Sequence, residues 1–220
     1  MSIILPNEFT CVSRTAVFDE PEPVDFRHLA QVGVPDVLME QLRTGRFLVT
    51  MSRAESTVSA HHSIGFTETL IKIPVRLGDR NYLYPVVTYV DHEYSLLRGY
   101  LLGFNKRLTQ PASDADPLML TLSGLDLDLR EIPDSVAAVD LPPEQNDPLL
   151  LWTDYSVGEN ARSRGFGTLE IAGYVSKGVR ELRCARVRQT VAGQDVAARR
   201  LYEIEDAFTV TGTNHISPEV

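Results

Sequence analysis

A chain of 220 residues with 43% hydrophobic content is long enough to bury one sizeable core, so one domain over 1–220 is expected. Thirty acidic residues against 21 basic ones give a net charge of −9 with no basic stripe, which excludes nucleic acid as the expected partner. No apolar run reaches the ~18 residues of a membrane span, and Met1-Ser2-Ile3-Ile4-Leu5-Pro6 lacks the basic region and apolar core of a secretory signal. A cytoplasmic location is therefore expected. Cys11 and Cys184 have no metal-type spacing and read as buried thiols in a reducing setting.

The first 24 residues, with Pro6, Pro21 and Pro23, read as irregular apart from a strand over Phe9–Phe18 and an exposed turn at Asp19-Glu20-Pro21-Glu22-Pro23. Pro35 near the start and Gly45 past the end predict a short helix over Pro35–Leu42. Phe47–Met51 reads as a buried strand and Ser52–Ser63 as a polar loop. Within that loop His61 and His62 would point in different directions on a strand and have no third ligand nearby, so no metal site is expected.

Thr67–Leu77 alternates Ile71, Ile73, Val75 and Leu77 with Lys72, Pro74 and Arg76, a period of two. It pairs with Tyr82–Val90 through Gly78-Asp79-Arg80-Asn81 as a hairpin, and Pro74 and Pro85 mark edge positions or bulges. Asp91 suits the N-cap of a helix over His92–Leu102, with Glu93 in its first turn, apolar spacing at Leu97, Tyr100 and Leu101, and Gly103 as its C′ residue. That helix delivers Lys106 against the hairpin.

Beyond it, Pro111–Pro117 reads as a loop and Leu118–Ile132 as a half-exposed strand. Leu141–Pro148 is Pro-rich, and Leu149–Trp152 fits either a buried strand or a short helix. Gly165-Phe166-Gly167 lacks the preceding strand and the Lys-Ser/Thr of a phosphate loop. Leu169–Val175, Val179–Thr190 and Arg199–Val210 read as further strands. Many strands at hairpin spacing with few helices predict a mainly β or α+β chain, an antiparallel barrel or sandwich.

Leu102-Gly103-Phe104-Asn105-Lys106-Arg107-Leu108 carries the chemistry. An amine attacks a carbonyl only when neutral, and an ordinary lysine, with a pKa of ~10.4, is almost wholly charged at pH 7. Burial and a neighbouring cation both favour the free amine. Leu101, Leu102, Phe104 and Leu108 supply apolar surroundings, and Arg107 supplies the charge expected to depress the lysine's pKa. The dipole of a helix ending near Gly103 works in the opposite direction. An iminium on such a lysine draws electrons from the adjacent carbon, which serves decarboxylation, aldol chemistry and dehydration alike.

The segment Glu68–Leu108 resembles the acetoacetate decarboxylase superfamily, where a Gly-aromatic-Pro-Lys-Lys-Leu motif presents a Schiff-base lysine activated in this way. Here the motif reads Gly103-Phe104-Asn105-Lys106-Arg107-Leu108. A glutamate six residues before the proline of Ile73-Pro74-Val75 matches Glu68, Tyr89-Val90-Asp91 is similar to the family's lead into the helix, and Val34-Pro35-Asp36-Val37-Leu38 to its Val-Pro-x-x-Leu stretch. The resemblance implies a cone-like β-barrel, Lys106 as nucleophile, Arg107 as its modulator, and Glu68 in proton transfer or substrate orientation. Phe104 and an N-terminal arginine, Arg14 with Arg27 as second candidate, would contact substrate.

The departures are Arg107 for a second lysine, with a wider planar head, Asn105 for proline, which loosens the backbone before the lysine, and Leu48 where the decarboxylases carry a glutamate. The expected protein is a Schiff-base lyase acting on a small keto acid or a polyketide-like β-keto compound. It is expected to need no metal or organic cofactor and to form a homo-oligomer. The alternatives are a ligand-binding barrel without catalysis and a non-covalent acid–base cyclase or dehydratase using Glu68 and a histidine.

Overall fold

A computed structural model describes residues 6–59, 62–109, 119–122, 125–128, 131–138, 143–157, 161–184, 188–191 and 194–216. In chain order its elements are β1 (Asn7–Asp25), α1 (Asp36–Met39), β2 (Arg43–Ser59), β3 (His62–Leu77), β4 (Arg80–Val90), α2 (Glu93–Leu102), β5 (Lys106–Leu108), β6 (Met119–Leu122), β7 (Leu125–Asp128), β8 (Glu131–Ala138), β9 (Leu150–Val157), β10 (Ala161–Cys184), β11 (Arg188–Val191), β12 (Gln194–Ala197) and β13 (Arg200–Ile216). Short 3₁₀ turns lie at Arg27–Leu29, Glu40–Leu42 and Pro143–Asn146.

Nine strands make one curled sheet in the order β5-β4-β3-β2-β1-β13-β10-β8, with β9 also on β10; β12-β11-β7-β6 make a second, small sheet. The mainly β, half-barrel architecture agrees with the expected fold class. One pairing departs from the antiparallel expectation. β5 runs parallel to β4, pairing with its last three residues so that Thr88 stands opposite Lys106, because α2 carries the chain back before it re-enters the sheet as a crossover must.

The two faces of this sheet explain most of the core. On one, Ile71, Ile73 and Val75 pack with Phe18, Phe47 and Val49, beneath Phe26, Leu38 and Leu42 of the N-terminal segment. The other, inner, face carries Glu68, Leu70 and Lys72, which alternation on β3 places together. Opposite Glu68 stands Ser52, and opposite Ser52 stands Ser13. Their hydroxyls meet at 2.8 Å, as do those of Thr15 and Thr50 one step along.

Several expectations change accordingly. Ser52–Ser59 continues β2 rather than forming a loop: Ser52 meets the Ser13 hydroxyl and Ser56 accepts from Arg98, while Ala54 and Val58 join a buried cluster. The exposed turn at Asp19–Pro23 is a register shift within β1. Gly45 does not end the α1 region but lets β2 approach β1, since a Cβ there would lie 2.1 Å from the Glu20 carbonyl oxygen. Pro85 sits at a bulge, where pairing passes from Ile71–Val87 to Lys72–Pro85, and Pro74 lies beyond Leu48–Lys72, the last pair of β2 with β3.

Leu118–Ile132 divides into β6, β7 and the start of β8, and Leu149–Trp152 resolves as the start of β9. Gly165-Phe166-Gly167 lies inside β10. The Pro111–Pro117 loop and His61 lie outside the described residues.

The Thr15–Thr50 pair provides a test of the inner face. Thr15→Val or Thr50→Val alone strands a buried hydroxyl and is expected to cost about 1–3 kcal/mol. Thr15→Val/Thr50→Val removes both and should cost less than the sum of the singles, as urea unfolding in a double-mutant cycle reads directly.

Candidate active site

The site is assembled by α2 and β5 against the inner face. Asp91 does not cap the helix. Its carboxylate accepts from the Thr67 N–H at 2.8 Å and from the Thr67 hydroxyl, tying β4 to β3. His92 takes the N-cap position, its ring nitrogen accepting from the Tyr94 N–H at 3.2 Å. Gly103 ends the helix as expected, at φ 99, and a Cβ there would also come within 2.9 Å of the Thr153 methyl.

The buried stripe of α2 is Ser95, Arg98, Gly99 and Leu102, the i, i+3, i+4, i+7 set of one helix face. Leu97 and Tyr100, the apolar residues that carry the sequence periodicity, are exposed. The helix turns a small and polar face inward because that face must accommodate a lysine. Arg98, 6% exposed, anchors it: the guanidinium donates to Asn7 Oδ1 and Ser56 Oγ, both at 3.0 Å, and lies over the rings of Phe9 and Tyr94.

Lys106 occupies the space so formed. Its side chain is 7% exposed, and its Nζ donates to Glu68 Oε2 at 2.9 Å and to Ser95 Oγ at 3.1 Å. The rings of Phe104 and Phe66 lie 5.6 and 5.8 Å from the amine. Gly99 makes room for the stem: a Cβ there would fall 2.2 Å from Lys106 Cε and 2.5 Å from Cδ. Asn105 does not leave the backbone loose where proline is missing. Its side-chain amide donates to the Leu29 and Val86 carbonyls at 2.8 and 2.7 Å, and its own carbonyl accepts from Thr88 N–H at 2.9 Å.

Of the residues singled out in the sequence, Lys106, Glu68 and Phe104 come together. Arg107 does not join them: alternation on β5 sends it to the opposite face, where it is exposed and donates to the Leu29 carbonyl at 3.0 Å. Arg14 likewise points away. Its neighbour Ser13 faces Ser52 on the inner side, so Arg14 projects outward, pairs with Glu203 at 2.9 Å and lines a groove with Val12 and Arg53. Arg27 is exposed and paired with Asp25.

Ser95, Gly99, Phe66 and Lys72 belong to the site region without having been singled out. A serine and a glycine four residues apart in a helix were the available signal for the first two. Lys72 read as the polar side of an alternating strand. It is instead 5% exposed, opposite fully buried Leu48, because β3 is covered on both faces. Its amine donates to Gln145 Oε1 at 3.2 Å. Burial pulls that amine down to about 8, against the opposing influence of Asp206 and Glu68. Burial, followed by the same two carboxylates, pushes the Cys11 thiol up to about 12. Burial also raises Asp206, partly offset by the hydrogen bond it accepts from the Tyr174 hydroxyl.

Gly99→Ala should raise intrinsic helix propensity by up to ~1 kcal/mol yet displace Lys106; circular dichroism should remain native while carbonyl trapping on Lys106 falls at least tenfold. Lys72 predicts a pH dependence. The unfolded chain holds the Lys72 proton up to 10.5 and the folded chain only to about 8, so folded stability rises with pH across that interval and carries the full cost of the charge below it. Lys72→Met should stabilise the fold by about 3 kcal/mol at pH 7, a gain that vanishes near pH 10.5 in unfolding titrations.

Residues 26–125 match the sequence family described as acetoacetate decarboxylase. No protein of curated function matches the sequence. Among solved structures, the enduracididine biosynthesis enzyme MppR complexed with pyruvate is similar at TM-score 0.68 and 13% identity, covering 100% of this chain and 93% of its own. An acetoacetate decarboxylase-like enzyme from Sphingomonas wittichii RW1 gives 0.66 and 14%, covering 99% and 96%. Acetoacetate decarboxylase from Legionella pneumophila gives 0.62 and 11%, covering 100% and 91%. The family match runs from α1 to β6 and contains Glu68 and Lys106, and the fold of these enzymes is shared over the chain's whole length.

Proposed function

We propose that the protein is a Schiff-base lyase acting on a keto acid or β-keto compound, with Lys106 as nucleophile and Glu68 as its proton partner. The observation that carries this reading is the enclosed amine of Lys106, 2.9 Å from one carboxylate and beside two aromatic rings. Glu68 takes a proton from the ammonium, and the free amine attacks the substrate carbonyl carbon. The carbonyl π electrons move to oxygen, which takes one proton from the attacking nitrogen and the one held by Glu68 and leaves as water, giving a protonated imine and an ionised Glu68. The positive nitrogen then accepts the electron pair of an adjacent bond. If that bond joins a β-carboxylate, carbon dioxide leaves and a neutral enamine forms; its carbon takes a proton from solvent water relayed through Glu68, and water hydrolyses the resulting imine to ketone and amine. If it is a C–H bond, Glu68 takes the proton, and the enamine carbon attacks an aldehyde, with dehydration to follow.

Both outcomes have counterparts of the same fold: acetoacetate decarboxylases, and MppR, captured with the condensation product of pyruvate and imidazole 4-carboxaldehyde. Arg107, turned to the Leu29 carbonyl, takes no part in this scheme. Ser95 holds the amine from the helix side, and Phe104 and Phe66 keep water from it.

Incubation with acetoacetate or pyruvate followed by borohydride should add the reduced substrate to one residue, Lys106, as peptide mass spectrometry will locate. Lys106→Ala should give no adduct. An adduct on Lys72, or turnover surviving Lys106→Ala, would remove Lys106 from the role. Glu68→Gln should keep the fold and slow turnover by about 10²–10⁴-fold, the usual contribution of a positioned acid–base group.

A further inference from the structure

Lys72 is the group in this site that the reaction above leaves unused. It lies on the same face of β3 as Glu68, with Leu70 between them, and it is 5% exposed. Buried charges in proteins are normally paired. Lys106 has Glu68 in ion-pair contact, but among the described residues Lys72 has no carboxylate at such distance, only the amide oxygen of Gln145 at 3.2 Å. Asp206 and Glu68 act on it from farther away. Its strand neighbours Leu48 and Val17 belong to an apolar cluster, so the described residues supply little to hold a cation there.

A second observation lies on the same face. Thr88 is fully buried, is the register partner of Lys106 and stands opposite Leu70, and its hydroxyl has no hydrogen-bond partner. An orphaned buried hydroxyl and an ammonium without a counter-ion thus flank one Leu70, on the side of the sheet that holds the nucleophile. Each lacks what an oxyanion provides, an acceptor and a negative charge.

Resting on the reading of Lys106 as the imine-forming amine, we infer that Lys72 binds a second, acidic group of the substrate, a carboxylate several bonds removed from the carbonyl that Lys106 attacks. The spacing sets that separation. The backbones of Glu68 and Lys72 are four residues apart on one strand, roughly 13 Å, and Lys106 leans to the Glu68 end. The carboxylate held at Lys72 is not one that departs as carbon dioxide, because an ion pair holds its charge in place and opposes electron flow toward the imine. The substrate class is a keto acid with its acid at the far end of a short chain, Thr88 donating to a polar group between.

Calorimetry with hexanoate, which has the carboxylate but no carbonyl, reads Lys72 independently of Lys106. Wild type and Lys106→Ala should bind hexanoate alike, and Lys72→Met, of similar length without charge, should bind it at least tenfold more weakly. 1-Hexanol should bind the two lysine forms equally. Absence of hexanoate binding to wild type, or equal binding by Lys72→Met with native circular dichroism, overturns the inference.

Borohydride trapping on Lys106 supplies the second readout. 5-Oxohexanoate should be trapped at least tenfold more efficiently than 2-hexanone in wild type, and Lys72→Met should erase that preference while still trapping the ketone. Trapping of acid and ketone at equal efficiency in wild type also overturns it. Hexanoate binding through Lys72 with no carbonyl trapped on Lys106 would retain the acid-binding role and defeat the imine reading instead.

Discussion

The contact between Lys106 and Glu68 closes one end of the sheet, joining the edge strand β5 to β3 across β4. An ion pair with one partner 7% exposed and the other 21% exposed is costly to desolvate and contributes to stability only when its geometry is fully supported. The support is visible element by element. Arg98 fixes the helix to β1 and β2, Ser95 takes a second hydrogen of the amine, Gly99 leaves a channel for the stem, and Asn105 and Gly103 hold the turn that leads into β5. Such investment of backbone and side-chain contacts around one amine is what a preorganised nucleophile requires.

The same face carries two lysines in different electrostatic circumstances. One has a carboxylate in contact; the other sits among leucine and valine with an amide oxygen for company, its amine drawn down to about 8 by burial. A fold selected for stability alone would place methionine or leucine there. The charge on Lys72 opposes folding in full below about pH 8 and in part up to 10.5, a cost of the kind that stability-optimised positions do not carry.

The decarboxylation and condensation branches diverge at a single step, the choice of which bond beside the imine gives up its electrons. The apolar walls at Phe66 and Phe104 serve both. Under the proposed mechanism the branch taken would depend on where the substrate's charged groups are held; besides Lys106 the inner face carries Lys72, whereas Arg14 and Arg107 both face outward.

Local chemistry in the sequence determined a good deal. Period-two alternation over Thr67–Leu77, the turn residues at 78–81 and the glycine after Leu102 depend only on neighbours in the chain, and hairpin, helix end and lysine position followed from them. That Lys106 and Glu68 belong to one site was expected from the family resemblance of their motifs, but the ion pair between them was not legible in the sequence. Tertiary structure decided the rest. Whether Lys72 meets water depends on whether β3 is covered on one face or two, which alternation along a single strand does not reveal. The inward face of α2 could not be read from hydrophobicity, since its buried stripe was shaped by the lysine it receives. Arg14 and Arg107 turned outward because side chains one residue apart on a strand occupy opposite faces, and only the register of the whole sheet says which face holds the site.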